Sequence, residues 1–415
     1  MKKIASFFIF LAFSLSHTIA QNPGCDGSRY KDDVFTTVKK TTIQYASNTN
    51  QINEQVPLSM DVFEPEGDVI SARPVIILAH GGSFVFGDKS AMEDYCRLLA
   101  KKGYVTASIQ YRLYPIFQLG FPDSIEIFDQ AVRAISDMKA AVRHFRLDAA
   151  TTNQFRADAD NIFIGGYSAG AVAALHAGYL DSTDILPAFL QTALDANGGL
   201  NGNTGSAANQ TYSSSAKAIV NMSGGLYRSN WVNGPGGLPL VSIHGTADAT
   251  VPFYSGLAAG LAYLQGSGLI HPDAEAAGLL NNLHVVPGGG HTNIYDQIQY
   301  KPHRDTFWVN VTTMLESLVC QTVSADEPGN WDFNWAVFPN PVREGSFTLQ
   351  FPESVQQVTL NLYDLTGKTV FQTKNIQNRS VIRLNDIPAG IYSIQLFDEN
   401  DPAHQFAAKK LIIGE

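Results

Sequence analysis

With 415 residues, 45% of them hydrophobic and 16% charged, the chain can bury a full core, and its length suits one large domain plus a smaller one. Such a composition excludes a disordered or fibrous protein. A net charge of -10 without an extended Lys/Arg run argues against a nucleic-acid surface, because nothing would replace counterions along a phosphate backbone.

Export comes first in chain order. Lys2 and Lys3 precede the apolar stretch 4–15, and "SHTIAQ" offers Ala20 as the residue before cleavage, with Thr18 at the other small-residue position. The apolar run falls short of the roughly 20 residues a membrane span needs, so residues 1–20 read as a secretory signal peptide. Cys25, Cys96 and Cys320 then meet an oxidising compartment, where three cysteines allow at most one disulfide. Cys25 with Cys320 would tie the start of the mature chain to the end of the large domain, whereas Cys96 sits on an apolar helical face; the sequence leaves the pairing open. "NPGC" departs from the usual lipoprotein signal, so lipidation is not expected.

"TTVKKTTIQYA" and "PLSMDVFEP" alternate apolar and polar residues and predict an antiparallel pair. The rhythm then changes. "RPVIILAHGG", "GYVTASIQYRL", "NIFIGGYS", "AKAIVNMSGG", "LPLVSIHGTAD" and "NNLHVVPGGGH" are short β-branched runs ending in glycine or a turn, and helical stretches such as "IFDQAVRAISDMKAAVRHF" lie between several of them. Buried strands alternating with helices predict an α/β domain with a mostly parallel sheet covered on both faces, whose ligands bind beyond the carboxyl ends of the strands. Residues 195–215 are so rich in Gly, Asn and Ser that a long surface loop is expected. After the polar stretch 321–334, everything alternates, and residues 335–415 read as a small all-β sandwich. The expected domains are therefore 1–20, 21–320 and 335–415, with 321–334 as linker.

"GYSAG", residues 166–170, follows a strand and opens a helix, the context in which flanking glycines let the chain turn sharply enough to expose a serine hydroxyl. Ser168 is a weak nucleophile alone and needs a base and a group to orient that base. In strand–helix hydrolases the chain order is Ser, then Asp or Glu, then His. Asp248 in "HGTADATVP" and His291 in "PGGGHTN" fit that order, each just past a strand. Of the rivals, His244 is expected to shape its turn, His284 to pack within its strand, and His144, His176, His271 and His303 to be structural; nothing strand-like precedes Asp273. An oxyanion needs preorganised N–H donors: Ala169 offers one, and Gly81 and Gly82 of "HGGS" offer the others. His80 is then expected to brace that loop. Ser83, Phe84, Phe86, Tyr167 and Trp231 are candidates for the substrate pocket. No metal or cofactor is expected.

Assembled, "HGGS", Tyr111-Arg112-Leu113, "GYSAG" and "HGTADATVP" make residues 30–320 resemble the α/β-hydrolase superfamily, and within it the secreted carboxylesterase, lipase and feruloyl-esterase-like group. The resemblance implies Ser168 as nucleophile, His291 as acid–base, Asp248 as orienter, and Gly81, Gly82 and Ala169 as oxyanion donors. Where that group has a third loop glycine this chain has Ser83, whose side chain is expected either to narrow the pocket or to add a hydroxyl near the substrate, so that bulky tertiary-alcohol esters are not expected as substrates. The end of the chain, with "FPNP", "LYDLTGK", "PAGIYSIQL" and "KKLII" in order, resembles the C-terminal sorting domain of type IX secretion. That implies export through the periplasm of a Gram-negative bacterium to the surface or medium, with the secretion machinery as partner. The expected activity is hydrolysis of short-chain, aromatic or polymeric carboxylic esters through an acyl-enzyme. A prolyl-oligopeptidase-like peptidase would need a proline after the loop glycines and an upstream propeller, neither present, and an inactive adhesion protein would usually lack a triad member.

Overall fold

A computed structural model describes residues 24–234 and 237–320, and from the last part of the chain 335–338, 340, 342, 345–351, 357–364, 368–384, 387–399 and 409–414. The expected signal peptide, residues 1–20, and the 321–334 linker lie outside the described residues. The chain divides into two compact units, Met1–Val323 and Ser324–Glu415.

The first unit begins with strands β1 (Val38–Thr49) and β2 (Gln55–Pro65), an antiparallel pair as their alternation predicts. There follow β3 (Arg73–Ala79), α1 (Glu93–Ala100), β4 (Val105–Ile109), the single turn α2 (Ile116–Leu119), α3 (Ser124–Ala150), β5 (Ala157–Tyr167) and α4 (Ala169–Tyr179). After these come α5 (Ala188–Ala196), β6 (Ile219–Met222), β7 (Gly225–Leu226), β8 (Leu240–Gly245), β9 (Ser255–Ala258), β10 (Ala262–Gly266), α6 (Ser267–Ala276), β11 (Asn281–Val286), α7 (Asn293–Asp296) and α8 (Lys301–Val319). Eight strands form one sheet in the order β1-β2-β4-β3-β5-β6-β8-β11, parallel from β4 through to β11. Every residue of β3 and β8 is buried, because helices cover both faces and leave those strands no polar side.

Helix α3 starts at a capping box, where Asp123 accepts the Ile125 and Glu126 N–H groups and Glu126 accepts the Asp123 N–H. Its 27 residues run behind the sheet. A disulfide joins Cys25 to Cys320, while Cys96 is a buried free thiol.

Residues 195–215 form the mostly exposed surface stretch expected from their composition, but it is anchored to the core. Their first two residues finish α5, two short 3-10 turns follow, and Thr204 is fully buried. Polar bonds replace the missing apolar core: the Thr204 hydroxyl donates to Asp137 at 2.7 Å, Lys139 donates to Leu200 O, and Arg143 donates to the carbonyls of Asn201 and Thr204. Asp137 in turn forms a buried ion pair with Arg112 at 2.7 Å, which pins the end of the "YRL" segment to α3.

The second unit contains β12 (Ala336–Phe338), β13 (Ser346–Gln350), β14 (Val358–Tyr363), β15 (Thr369–Ile376), β16 (Val381–Arg383), β17 (Gly390–Asp398) and β18 (Lys409–Ile413). Two antiparallel sheets, β12-β13-β16 and β15-β14-β17-β18, share one core of residues such as Phe347, Leu349, Leu360, Ile394 and Leu411.

Candidate active site

Three parallel strands deliver three side chains at their carboxyl ends. β5 runs into an elbow at Ser168, whose backbone holds φ +54° and ψ -122°, a conformation that a non-glycine residue keeps only when its surroundings enforce it. The enforcing contacts include the Ser168 N–H, which donates to Met222 O at 2.9 Å, and the packing of Gly81 across the elbow, where a Cβ would stand 3.0 Å from that of Ser168. β8 ends in the turn bearing Asp248, and β11 in the glycine-rich loop bearing His291.

These groups meet in a line. Ser168 Oγ lies 2.7 Å from His291 Nε2, and His291 Nδ1 lies 2.7 Å from Asp248 Oδ2. The other Asp248 oxygen accepts the N–H groups of Thr250 and Val251, both at 2.8 Å. Burial pushes the Asp248 carboxyl up, but hydrogen bonds from His244 and His291 outweigh it and hold the group at about 2. A carboxylate only accepts, so the His291 ring proton sits on Nδ1 and Nε2 faces the serine hydroxyl as an acceptor. Such an arrangement can remove a proton from the hydroxyl and later return it to a leaving group.

The loop after β3 passes over the serine. Gly82 holds φ +120°, and a Cβ there would stand 2.1 Å from Phe86 O, so only glycine fits. Its carbonyl accepts the Val85 and Phe86 N–H groups, while the N–H groups of Gly82 and Ala169 have no acceptor among the described residues. Ser83 and Phe84 also lie in the left-handed region, at φ +53° and +62°, which accounts for glycine as the residue expected at 83. His80 is fully buried, stacks on Tyr111 at 4.4 Å and contacts Gly81 O through Nδ1, the bracing position expected of it. Burial holds its ring below the usual histidine range.

Beside Ser168 is an apolar cavity of about 50 Å³. Of the expected pocket residues, Ser83 and Phe84 line it and Tyr167, Phe86 and Trp231 do not. Tyr167 stacks on the His291 ring, Phe86 is 54% exposed, and Trp231 is buried against His176 and Tyr227. Sequence reasoning missed the opposite walls: Ile127, Phe128 and Ala131 of α3, and Leu261 and Leu264 of the β9–β10 hairpin. The only signal for the α3 wall is apolar spacing at i, i+4, which core packing produces equally. Among the described residues no group of three or more His, Cys, Asp or Glu could hold a metal ion.

Residues 60–233 match the BD-FAE family model, and residues 336–414 match the model described as "Secretion system C-terminal sorting domain". The chain is 32% identical over 102 residues to an endo-acting ulvan lyase of Formosa agariphila, a stretch that is 24% of this chain and 19% of the lyase. It thus spans less than a fifth of that relative. Among solved structures it is similar to Thermogutta terrifontis esterase 2 phosphorylated by paraoxon, at 19% identity over 67% of this chain and 94% of that one, with a TM-score of 0.47. It is similar also to a truncated carbohydrate esterase from gut microbiota, at 21% identity over 69% and 98% of the two chains, with a TM-score of 0.46.

Proposed function

Since residues 60–233 are an esterase-type α/β-hydrolase domain, on a chain that also carries a secretion sorting domain, we propose that the protein is an exported serine carboxylic-ester hydrolase working through an acyl-enzyme. His291 Nε2 takes the Ser168 proton as Oγ attacks the ester carbonyl carbon. The N–H groups of Gly81, Gly82 and Ala169 receive the oxyanion, and loss of one such donor costs roughly 3 to 4 kcal/mol of barrier. His291 then gives its proton to the departing alcohol. Water repeats the sequence on the acyl-enzyme, giving a carboxylic acid and free Ser168.

The observation that carries this reading is the pair of 2.7 Å contacts linking Ser168, His291 and Asp248. The cavity of about 50 Å³ supports a short acyl group. Its lining, with Phe84, Ile127, Phe128, Val172 and Leu264, is apolar, as an acyl chain requires. The sorting domain supports passage through the type IX machinery after a signal peptide at residues 1–20, with the substrate met at the surface or in the medium. Purified protein is expected to hydrolyse p-nitrophenyl acetate and butyrate, and Ser168→Ala to abolish this. Wild-type rates in that variant would overturn the mechanism.

A further inference from the structure

Asp248 has a second histidine. His244, fully buried at the end of β8, places Nε2 3.0 Å from Val251 O and 3.3 Å from the same Asp248 oxygen that His291 holds. Both neighbours are acceptors, so Nε2 carries a proton. The Val251 N–H donates to the other Asp248 oxygen, so His244, whose Nε2–H goes to Val251 O, holds the turn that presents the carboxylate and lies beside the carboxylate itself.

The proton positions behind His244 are determined one after another. Asn221 on β6 accepts the Gly224 N–H through its amide oxygen, which fixes the amide orientation and aims both amide hydrogens at serines: Ser242 at 3.0 Å and Ser267 at 3.1 Å. Ser267 Oγ thereby accepts from Asn221, and its own hydrogen points to His244 Nδ1 at 2.9 Å. Ser242 does the same toward His271 Nε2 at 2.7 Å. His271 Nδ1 then donates to Asn281 Oδ1 at 2.9 Å, an oxygen identified by the Asn281 amide donating to Leu279 O. The network is satisfied throughout with both rings neutral. For the His271 ring, burial, which pushes it down to about 4, agrees.

The geometry comes from β6, β8 and α6, with Asn281 on β11. Ser242 and His244 share one face of β8 at i, i+2, Asn221 sits beside Ser242 in the sheet, and Ser267 and His271 share one face of α6 at i, i+4. Asn221, Ser242, His244 and Ser267 are fully buried. An unsatisfied member would cost about 1–3 kcal/mol, so the chain of bonds resists rearrangement.

We propose that His244 is the positioning residue for Asp248: the relay Ser267–Asn221–Ser242–His271–Asn281 holds it as the Nε2–H tautomer, and it fixes the carboxylate that orients the His291 base. This rests on the serine-esterase reading. The other ionisable groups against the Asp248–His291 pair are the phenols of Tyr167, stacked on His291, and Tyr295, packed on Tyr167.

The test uses the full chain, with active sites counted by an organophosphate serine titrant and turnover measured on p-nitrophenyl butyrate. His244→Leu is expected to lower kcat per titrated site by about tenfold to a hundredfold with KM within about twofold, the size of effect that slight misplacement of a catalytic group produces. His244→Gln, whose amide nitrogen reaches toward the Nε2 position, recovers most of the loss. Ser267→Ala, a small change that releases the tautomer, costs about threefold to tenfold and decides the question alone if the leucine variant does not fold. Wild-type kcat per titrated site in both His244→Leu and Ser267→Ala would overturn the proposal, as would a glutamine variant no faster than leucine. Independently of turnover, 15N-resolved imidazole spectra are expected to show His244 neutral with its proton on Nε2; a proton on Nδ1 overturns the relay. Wild-type protein that takes up no titrant would count against the esterase reading instead, and the spectra still decide the tautomer.

Discussion

The ring of Tyr167 lies against that of His291, with centroids 5.2 Å apart and planes 27° off parallel, and its hydroxyl donates to the His291 carbonyl at 3.1 Å. One residue before the proposed nucleophile thus holds the loop that carries the proposed base. Tyr167→Phe keeps the ring and removes the hydrogen bond, for a stability loss of about 1 kcal/mol. We expect kcat to fall by less than about tenfold, with the ranking of acyl-chain lengths unchanged because the ring lies outside the acyl cavity. A changed ranking in an ester panel would put Tyr167 in the substrate pocket.

Asp248→Asn tests the orienting carboxylate. An amide can present the wrong partner to His291 Nδ1, so kcat is expected to fall by at least about a thousandfold. The carboxyl stands at about 2, below the roughly 3.9 of an unfolded aspartate. A depressed carboxylate contributes stability that is fully present above the unfolded value and is lost as pH falls through the folded one. The difference in urea midpoint between wild type and variant should therefore be constant above about pH 5 and narrow from about pH 4 toward pH 2, for an effect on the order of 2 kcal/mol. A difference that widened on acidification would reverse the assignment.

The parts of the site that were legible from sequence are those made by local chain chemistry. The elbow at Ser168, the turn at Asp248 and the loop at Gly82 each require glycine or turn residues next to a strand end, and those residues are adjacent in the chain. The apolar cavity beside Ser168 was not legible, because Phe128 and Leu264 come from distant elements and their spacing is what an ordinary core requires. The His244 relay was hidden for a related reason: Asn221, Ser242, Ser267 and His271 are single polar residues in apolar segments, and their partners become visible only when β6, β8 and α6 are side by side. Composition indicated a surface stretch around Thr204 but not its anchoring, since a Gly- and Asn-rich segment can be held by buried polar bonds to Asp137 and Arg143 with no apolar core.

Phe128 closes the cavity from α3 and has Phe189 and Tyr227 behind it, at 5.1 and 5.5 Å. Truncating it opens the proposed acyl cavity toward that second aromatic cluster. Phe128→Ala is expected to raise kcat/KM for p-nitrophenyl hexanoate and octanoate relative to butyrate by about tenfold, while costing about 3–5 kcal/mol of stability. An unchanged chain-length profile would mean that the acyl group binds elsewhere.

The Cys25–Cys320 disulfide closes a loop with a sequence separation of 295 and joins the two ends of the described stretch 24–320. Constraining so long a loop in the unfolded chain stabilises the fold by up to about 5 kcal/mol in the chain-entropy account. Cys96 contributes nothing to that crosslink: it is fully buried, and burial pushes its thiol up to about 12. A thiol reagent should accordingly find no reactive group in the native chain, one after unfolding without reductant, and three after unfolding with it. The double variant Cys25→Ser/Cys320→Ser should lose several kcal/mol in urea unfolding yet keep wild-type kcat per titrated site, because neither cysteine lines the cavity or contacts Ser168, His291 or Asp248. Equal unfolding midpoints for the two chains would mean that the first unit is held together by its sheet and helices alone.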